Sequence, residues 1–186
     1  MSDVISIAVI KVGAVVIRQV GDTFVVLTIR PQPKREGEVP PFVLPRGSRQ
    51  YRDEVGSWHD ARDMETALQR IDQLEPFTRT LLREIEEEAG VPPAMLRRAA
   101  VYEMGARDFT SRSKAPYAIH WFVVVLETAM LPKLRAVPSD AMAVRWEALR
   151  EIEAMAKHGE FSPGYVPVIQ EAMSAMSANS LPRITL

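Results

Sequence analysis

The chain has 186 residues and a formal net charge of −1, with 47% hydrophobic and 25% charged residues. That length carries a core without covalent staples, and the near-neutral balance argues against a strongly electrostatic nucleic-acid binder. With no cysteine, neither a disulfide framework nor a thiolate metal site is available.

In chain order, residues 5–17 read as a strand dominated by β-branched residues. Asp3, Lys11 and Arg18 interrupt this apolar start, so it fits neither a membrane span nor a signal peptide. The expectation is a cytoplasmic protein with no membrane partner. Gly21-Asp22 is a turn signal, and 24–29 is the returning strand of a hairpin. Residues 31–41 hold four prolines and read as a loop. Phe42-Val43-Leu44 reads as a short strand ending at Pro45-Arg46-Gly47. Residues 48–60 are polar and read as irregular. Met64, Ala67, Leu68, Ile71 and Leu74 then recur at helical spacing, which predicts a helix over about 61–73. Pro76 suits the first turn of the next helix, which runs to Ala89 and stops at Gly90, with Pro92 and Pro93 beyond. Strands follow at 99–108 and 117–127, joined by a polar, basic connection. Residues 131–140 read as loop and 143–146 as a short strand. Leu149–Lys157 and Val166–Ser177 read as helices, and the tail after Asn179 as loose. Strands on both sides of a central helix imply a mixed α/β layer fold.

The helix ending at Ala89 carries the chemistry. At about 100° per residue, Glu84, Glu87 and Glu88 fall on one face. Leu81, Leu82, Ile85 and Ala89 fall on the other, as the core-facing stripe. Like charges at this spacing cost about 0.2–0.5 kcal/mol per pair. A hard divalent cation with oxygen ligands relieves that repulsion. Arg83 reaches Glu87 one turn on and holds it in one rotamer, whereas Glu86 points to solvent. A solvated charged face is the ordinary reading of a glutamate-rich helix. It does not explain the order Arg83, Glu84, Ile85, Glu87, Glu88, Gly90 and Val91.

Those residues resemble the second half of the Nudix box, Gly-x5-Glu-x7-Arg-Glu-U-x-Glu-Glu-x-Gly-U, where U is a bulky apolar residue. Glu75 fits as well, since residues 76–82 supply its spacer. The first glycine departs from the pattern: position 69 is glutamine, and the equivalent is Gly47 in Leu44-Pro45-Arg46-Gly47. Residues 48–74 thus stand inside the box as a partly helical insertion. Val12-Gly13-Ala14-Val15-Val16-Ile17 is similar to the family's first strands, and Arg145-Trp146-Glu147-Ala148-Leu149 to a late segment. The resemblance implies one domain over 1–186, a Nudix-like α/β/α sandwich with a mixed β-sheet and a catalytic loop-helix.

It also implies a hydrolase of the diphosphate linkage in a nucleoside diphosphate derivative or related polyphosphate, with Mg2+ or alternatively Mn2+ as cofactor. Water attacks phosphorus while the cation stabilises charge on the phosphoryl oxygens. By carry-over, Glu84, Glu87, Glu88 and the backbone carbonyl of Arg46 are metal ligands, and Arg83 orients one glutamate. Glu75 fixes the junction of loop and helix. The general base stays open between Glu87 or Glu88 and Asp140, which also reads as a loop or capping residue. Arg46, Gly47, Arg112 and Lys114 are the substrate-binding candidates, with Arg49 and Arg52 as further phosphate-facing cations, because guanidinium forks suit phosphate. Each also reads as a solvated loop charge.

His59, His120 and His158 share no ligand spacing. His120 reads as structural, and His59 with Trp58 as packed or surface residues. There is no Gly-x-Ser-x-Gly elbow and no Walker loop. The partner expected is a small nucleotide or polyphosphate. A catalytically silent module binding a nucleotide or partner through the same cleft is the alternative. An RNA-end pyrophosphohydrolase would show a basic, aromatic groove, against which the net charge argues. The helix at 61–73 either covers the site or forms a homodimer contact.

Overall fold

Alternation along the first strand creates two buried faces. The structure, a computed structural model, describes residues 11–61, 64–110, 116–127 and 141–185. Strand β1 (Lys11–Val20) turns at Gly21, where φ is 59°, into β2 (Thr23–Pro31). Three short strands follow: β3 (Arg46–Ser48), β4 (Gln50–Arg52) and β5 (Trp58–Asp60). Helices α1 (Met64–Gln69), α2 (Phe77–Ala89) and α3 (Pro93–Leu96) lead to β6 (Ala100–Thr110), β7 (Pro116–Val125) and β8 (Ala141–Ala148). Helices α4 (Leu149–Lys157) and α5 (Val166–Ser177) precede β9 (Arg183–Ile184).

The main sheet runs β8-β2-β1-β7-β6-β9, with β3 also on β1. Among the described residues only the β1–β7 ladder is parallel, so the sheet is mixed. Val12, Ala14 and Val16 pack with Leu81, Ile85 and Ala89 of α2. Val15 and Ile17 pack on the other side with Ile152 of α4 and Val168, Ile169 and Ala172 of α5. A central strand buried on both faces must be apolar throughout, which is why β1 reads as an unbroken run. Burying each such aliphatic side chain stabilises by about 1.5–3 kcal/mol. This is the expected α/β/α sandwich. Among the described residues no helix is long and apolar enough to cross a membrane.

Several elements differ from the sequence reading. β1 extends past Ile17 to Val20, and residues 5–10 lie outside the described region. Phe42 and Val43 make isolated bridges to Phe161 and Ile29, while the ladder forms three residues later, at Arg46–Ser48. The stretch expected to be irregular contains the β4–β5 hairpin. The expected helix over 61–73 is shorter, Met64–Gln69, followed by a 3-10 turn at Ile71–Gln73. The tail is not loose: β9 pairs with β6 through Val101↔Ile184 and Tyr102↔Arg183. The predicted loop at 131–140 lies outside the described residues.

Candidate functional site

Helix α2 is built as its pattern requires. Leu81, Ile85 and Ala89 are buried, Leu82 is half-buried and Glu86 is exposed. Gly90 adopts φ 66° and closes the helix by donating its N–H to the Glu86 carbonyl at 2.9 Å. That left-handed cap favours glycine. The opposite face meets β3, and there the carboxylates are held.

Arg83 is the hub. Its Nη1 donates to Glu84 Oε1 at 2.8 Å and to Glu87 Oε2 at 2.9 Å. Its Nη2 donates to Glu75 Oε1 at 2.7 Å and to the Ser48 carbonyl at 2.9 Å. Burial acts to lower the guanidinium pKa, but Glu75, Glu84 and Glu87 outweigh it and raise the value. Glu75 is itself buried and also accepts from the Gln50 N–H at 3.1 Å and the Thr80 hydroxyl at 2.9 Å. Such a satisfied buried carboxylate fixes the junction of the 48–74 segment with the helix.

Glu84 lies against the backbone of Gly47. A Cβ at position 47 would sit 1.7 Å from the Glu84 carboxyl carbon, so only glycine admits the side chain there. Burial pushes the Glu84 carboxyl up to about 7, with Arg83 opposing and Glu87 and Asp60 adding to the rise. Glu88 Oε2 accepts from the Arg46 N–H at 2.8 Å. Arg46 stands opposite Gly13 on β1, yet its N–H turns away from that strand. In an antiparallel ladder the carbonyl of such a residue turns to the same outer edge, toward the helix.

Glu84, Glu87, Glu88, Gly47 and the Arg46 backbone are thus brought together. The three carboxylates share a face without converging: among the described residues no group of three or more His, Cys, Asp or Glu side chains is disposed to hold a metal ion. Arg83 draws Glu84 and Glu87 to one side, and the Arg46 N–H draws Glu88 to the other. The donor chemistry still fits magnesium, which takes oxygen ligands and binds through one or two carboxylates plus substrate phosphate rather than a closed protein cage. The glycine cradle that admits the Glu84 carboxylate is consistent with that role.

The other candidates divide. The Arg46 side chain points to the sheet face opposite Glu84, with its guanidinium 5.4 Å from the Tyr165 ring. Arg49 is held within the fold: it is buried, donates Nε to the Glu75 carbonyl at 2.9 Å and lies 4.3 Å over Phe77. Arg52 is spent on its own hairpin, donating Nε to the Gly56 carbonyl at 3.0 Å. Asp140, Arg112 and Lys114 lie outside the described residues. His59 pairs with Asp53 at 2.8 Å, which holds the Asp53 carboxyl low, and stacks on Tyr51. Trp58 carries the Arg79 guanidinium at 4.6 Å. His120 is structural: it is buried, donates Nε2–H to Glu103 at 2.7 Å and stacks on Phe77. Burial lowers its pKa, with Glu103 opposing.

Sequence reasoning missed two features. Asp60, the strand partner of Gln50, lies within electrostatic reach of Glu84. Lys11 lies near Arg46: burial lowers its pKa, Arg46 and Lys34 lower it further, and Glu84 opposes. Lys11 was legible only as a charge at the start of an apolar strand. A cavity of about 360 Å³ lined by Arg107, Phe109 and Gly164, among others, opens between β6 and α5.

The NUDIX domain family model matches residues 9–169. The NUDIX domain of Shewanella oneidensis NrtR, solved with ADP ribose, is similar at TM-score 0.60 and 16% identity, over 90% of this chain and 88% of that one. A NUDIX hydrolase from Nitrosomonas europaea is similar at TM-score 0.55 and 17% identity, over 92% and 89% of the two chains. A C. elegans Ap4A hydrolase is similar at TM-score 0.52 and 9% identity, over 90% and 98%. Comparison with curated protein sequences found no match.

Proposed function

From the premise that this chain belongs to the Nudix family, its model matching residues 9–169, we propose a divalent-metal-dependent hydrolase of a diphosphate linkage in a nucleoside diphosphate derivative or related polyphosphate. One observation carries the reading: Glu84, Glu87 and Glu88 share a helix face beside a glycine that admits only a bare backbone. A module that merely binds has no need for that set. The named hydrolases of this fold, one of them acting on Ap4A, agree with it.

In this proposal Glu84, Glu87, Glu88 and the Arg46 carbonyl hold Mg2+ or Mn2+. The bound cation would withdraw charge from the phosphoryl oxygens as water attacks. Arg83 restrains Glu84 and Glu87 on the side away from Glu88, so metal binding would draw the three carboxylates together. Glu87, the most exposed of the ion-paired set at 49% side-chain exposure, is placed to take a proton from the attacking water. Asp140 is the other candidate for that role. The Arg46 backbone and Gly47 would border the phosphates, and Arg112 and Lys114 are proposed as further phosphate ligands. The proposal takes residues 1–186 as one domain with 48–74 inserted, in a cytoplasmic protein.

The test is hydrolysis of a panel of nucleoside diphosphate derivatives, dinucleoside polyphosphates and triphosphates, with magnesium and with chelator. Glu87→Gln is expected to lower the magnesium-dependent rate by about a hundredfold or more while the fold persists. Undiminished turnover in that variant sinks the assignment. The second reading, a silent nucleotide-binding module, draws on the three carboxylates failing to converge. It predicts nucleotide binding with no turnover anywhere in the panel.

A further inference from the structure

Arg79 and Arg83, one turn apart on α2, both approach the buried Glu75 carboxylate. Arg83 Nη2 donates to Glu75 Oε1 at 2.7 Å. Arg79 Nε stands 3.9 Å from Glu75 Oε2, within ion-pair reach but beyond a hydrogen bond. Glu75 carries one negative charge and cannot offset both guanidinium groups. Which arginine it serves decides what Arg83 presents to Glu84 and Glu87, the carboxylates to which its Nη1 donates.

The surroundings of Glu75 favour Arg83. The fully buried Thr80 hydroxyl donates to Oε1 at 2.9 Å, and the Gln50 N–H donates to the same oxygen at 3.1 Å. The other acceptor near the Thr80 hydroxyl, the Pro76 carbonyl, is farther away at 3.4 Å. Oε1 is thus pinned on the Arg83 side. The competing cation is restrained from its own side: Trp58, on the inserted hairpin, carries the exposed Arg79 guanidinium 4.6 Å from its ring centroid in a cation–π contact. Thr80 lies in the spacer between Glu75 and Arg83, and Trp58 in the insertion, so neither stands at a position that the box prescribes.

We propose that Thr80 and Trp58 are positioning residues for the carboxylate face: Thr80 holds Glu75 on Arg83, and Trp58 keeps Arg79 from drawing it away. With Glu75 in place, the Arg83 charge is offset by a buried partner. With Glu75 turned to Arg79, the whole Arg83 charge bears on Glu84 and Glu87, and it repels a cation approaching them. The consequence for metal rests on the metal-dependent reading above, whereas the choice between the two arginines does not. The insertion thereby tunes the carboxylate face without supplying a ligand to it.

The test is magnesium binding to the full chain by titration calorimetry without substrate, together with NMR of the Arg83 Nη protons in chelator. Thr80→Val keeps the shape and loses the donor. It is expected to weaken magnesium binding by about fivefold, the scale of one hydrogen bond, and to speed rotation of the Arg83 guanidinium. Thr80→Ser should behave as the native protein does, and Trp58→Ala should weaken binding in the same direction as Thr80→Val. Arg79→Ala is expected to leave the native affinity unchanged and, combined with Thr80→Val, to restore it, because the competing cation is gone. A Thr80 that only supports the fold predicts no such rescue. Native affinity in Thr80→Val overturns the proposal, as does a double variant that binds no better than Thr80→Val alone. If the native protein binds no magnesium, the metal reading fails. The Arg83 rotation, faster in Thr80→Val and slowed again by Arg79→Ala, still decides which arginine Glu75 serves.

Discussion

At position 47 a single hydrogen decides whether a carboxylate has somewhere to go. The Cβ of alanine would overlap the Glu84 carboxyl at 1.7 Å, so Gly47→Ala must expel Glu84 from its place. The expected result is a loss of about a hundredfold in kcat/KM, or about 2.7 kcal/mol of transition-state stabilisation, with the thermal transition little changed. Activity within a few-fold of native would mean that Glu84 works from elsewhere. Glu84 also sets a pH dependence. Its carboxyl is raised from the usual carboxylate range to about 7, and in its proposed role as a metal ligand it must be ionised. Magnesium affinity, followed by calorimetry, should therefore fall about tenfold per pH unit below 7 and level off above it. The stability term has the opposite sense: the apo fold favours protonated Glu84, so this contribution is present below pH 4.5 and lost as pH rises through about 7.

Between helix and hairpin, Glu75 is the latch. It joins Gln50, Thr80 and Arg83 in one buried cluster. Glu75→Ala leaves Arg83 short of a buried counter-charge and the Gln50 N–H without an acceptor, at a cost of about 3 kcal/mol. Thermal denaturation should show a fall of about 6–12 °C, and a smaller fall in Glu75→Gln, which keeps the acceptor. A fall under about 2 °C in the alanine variant would show that the latch is not holding. The elements themselves were unequally legible. Helices Phe77–Ala89, Leu149–Lys157 and Val166–Ser177 were read to the residue because each carries an apolar stripe and a terminating signal. The β4–β5 hairpin was not, since its strands are three residues long, polar and largely exposed, leaving no alternation to see. β9 was invisible because two residues gain their conformation only from Val101 and Tyr102, which are remote in sequence. Phe42 and Val43 looked like a strand because they are apolar, yet they make single bridges to Phe161 and Ile29 rather than a ladder, with Phe42 buried and Val43 partly buried.

Across the whole molecule the sheet separates two cores and α2 presents its carboxylates on the rim of one of them. The carboxylate set was legible because the spacing of 84, 87 and 88 is a property of the helix alone. The side-chain geometry was not: that Glu84 and Glu87 share Arg83 while Glu88 turns to the Arg46 N–H depends on β3, which the chain reaches only after folding. If the folded state alone binds the cation, magnesium at about one hundred times its dissociation constant stabilises by about 2.7 kcal/mol. For a chain of this size that is a rise in Tm of about 5–10 °C, abolished by chelator and much reduced in Glu87→Gln. A native protein whose Tm ignores magnesium would deny the metal a place in the fold.

The two ends of the 48–74 excursion are fastened to each other. The Gln50 N–H reaches the Glu75 side chain, the Glu75 N–H returns to the Gln50 carbonyl at 2.8 Å, and Arg49 closes on the Glu75 carbonyl. What lies between them, residues 51–74, is therefore a cassette: its length is decoupled from the register that brings Gly47 to Glu84. Loops of other lengths could be grafted between the same fasteners, each with little added closure cost, because a doubling of loop length adds only about 0.6 kcal/mol. Evolution or an engineer could change what hangs over the carboxylate face without redrawing the face itself.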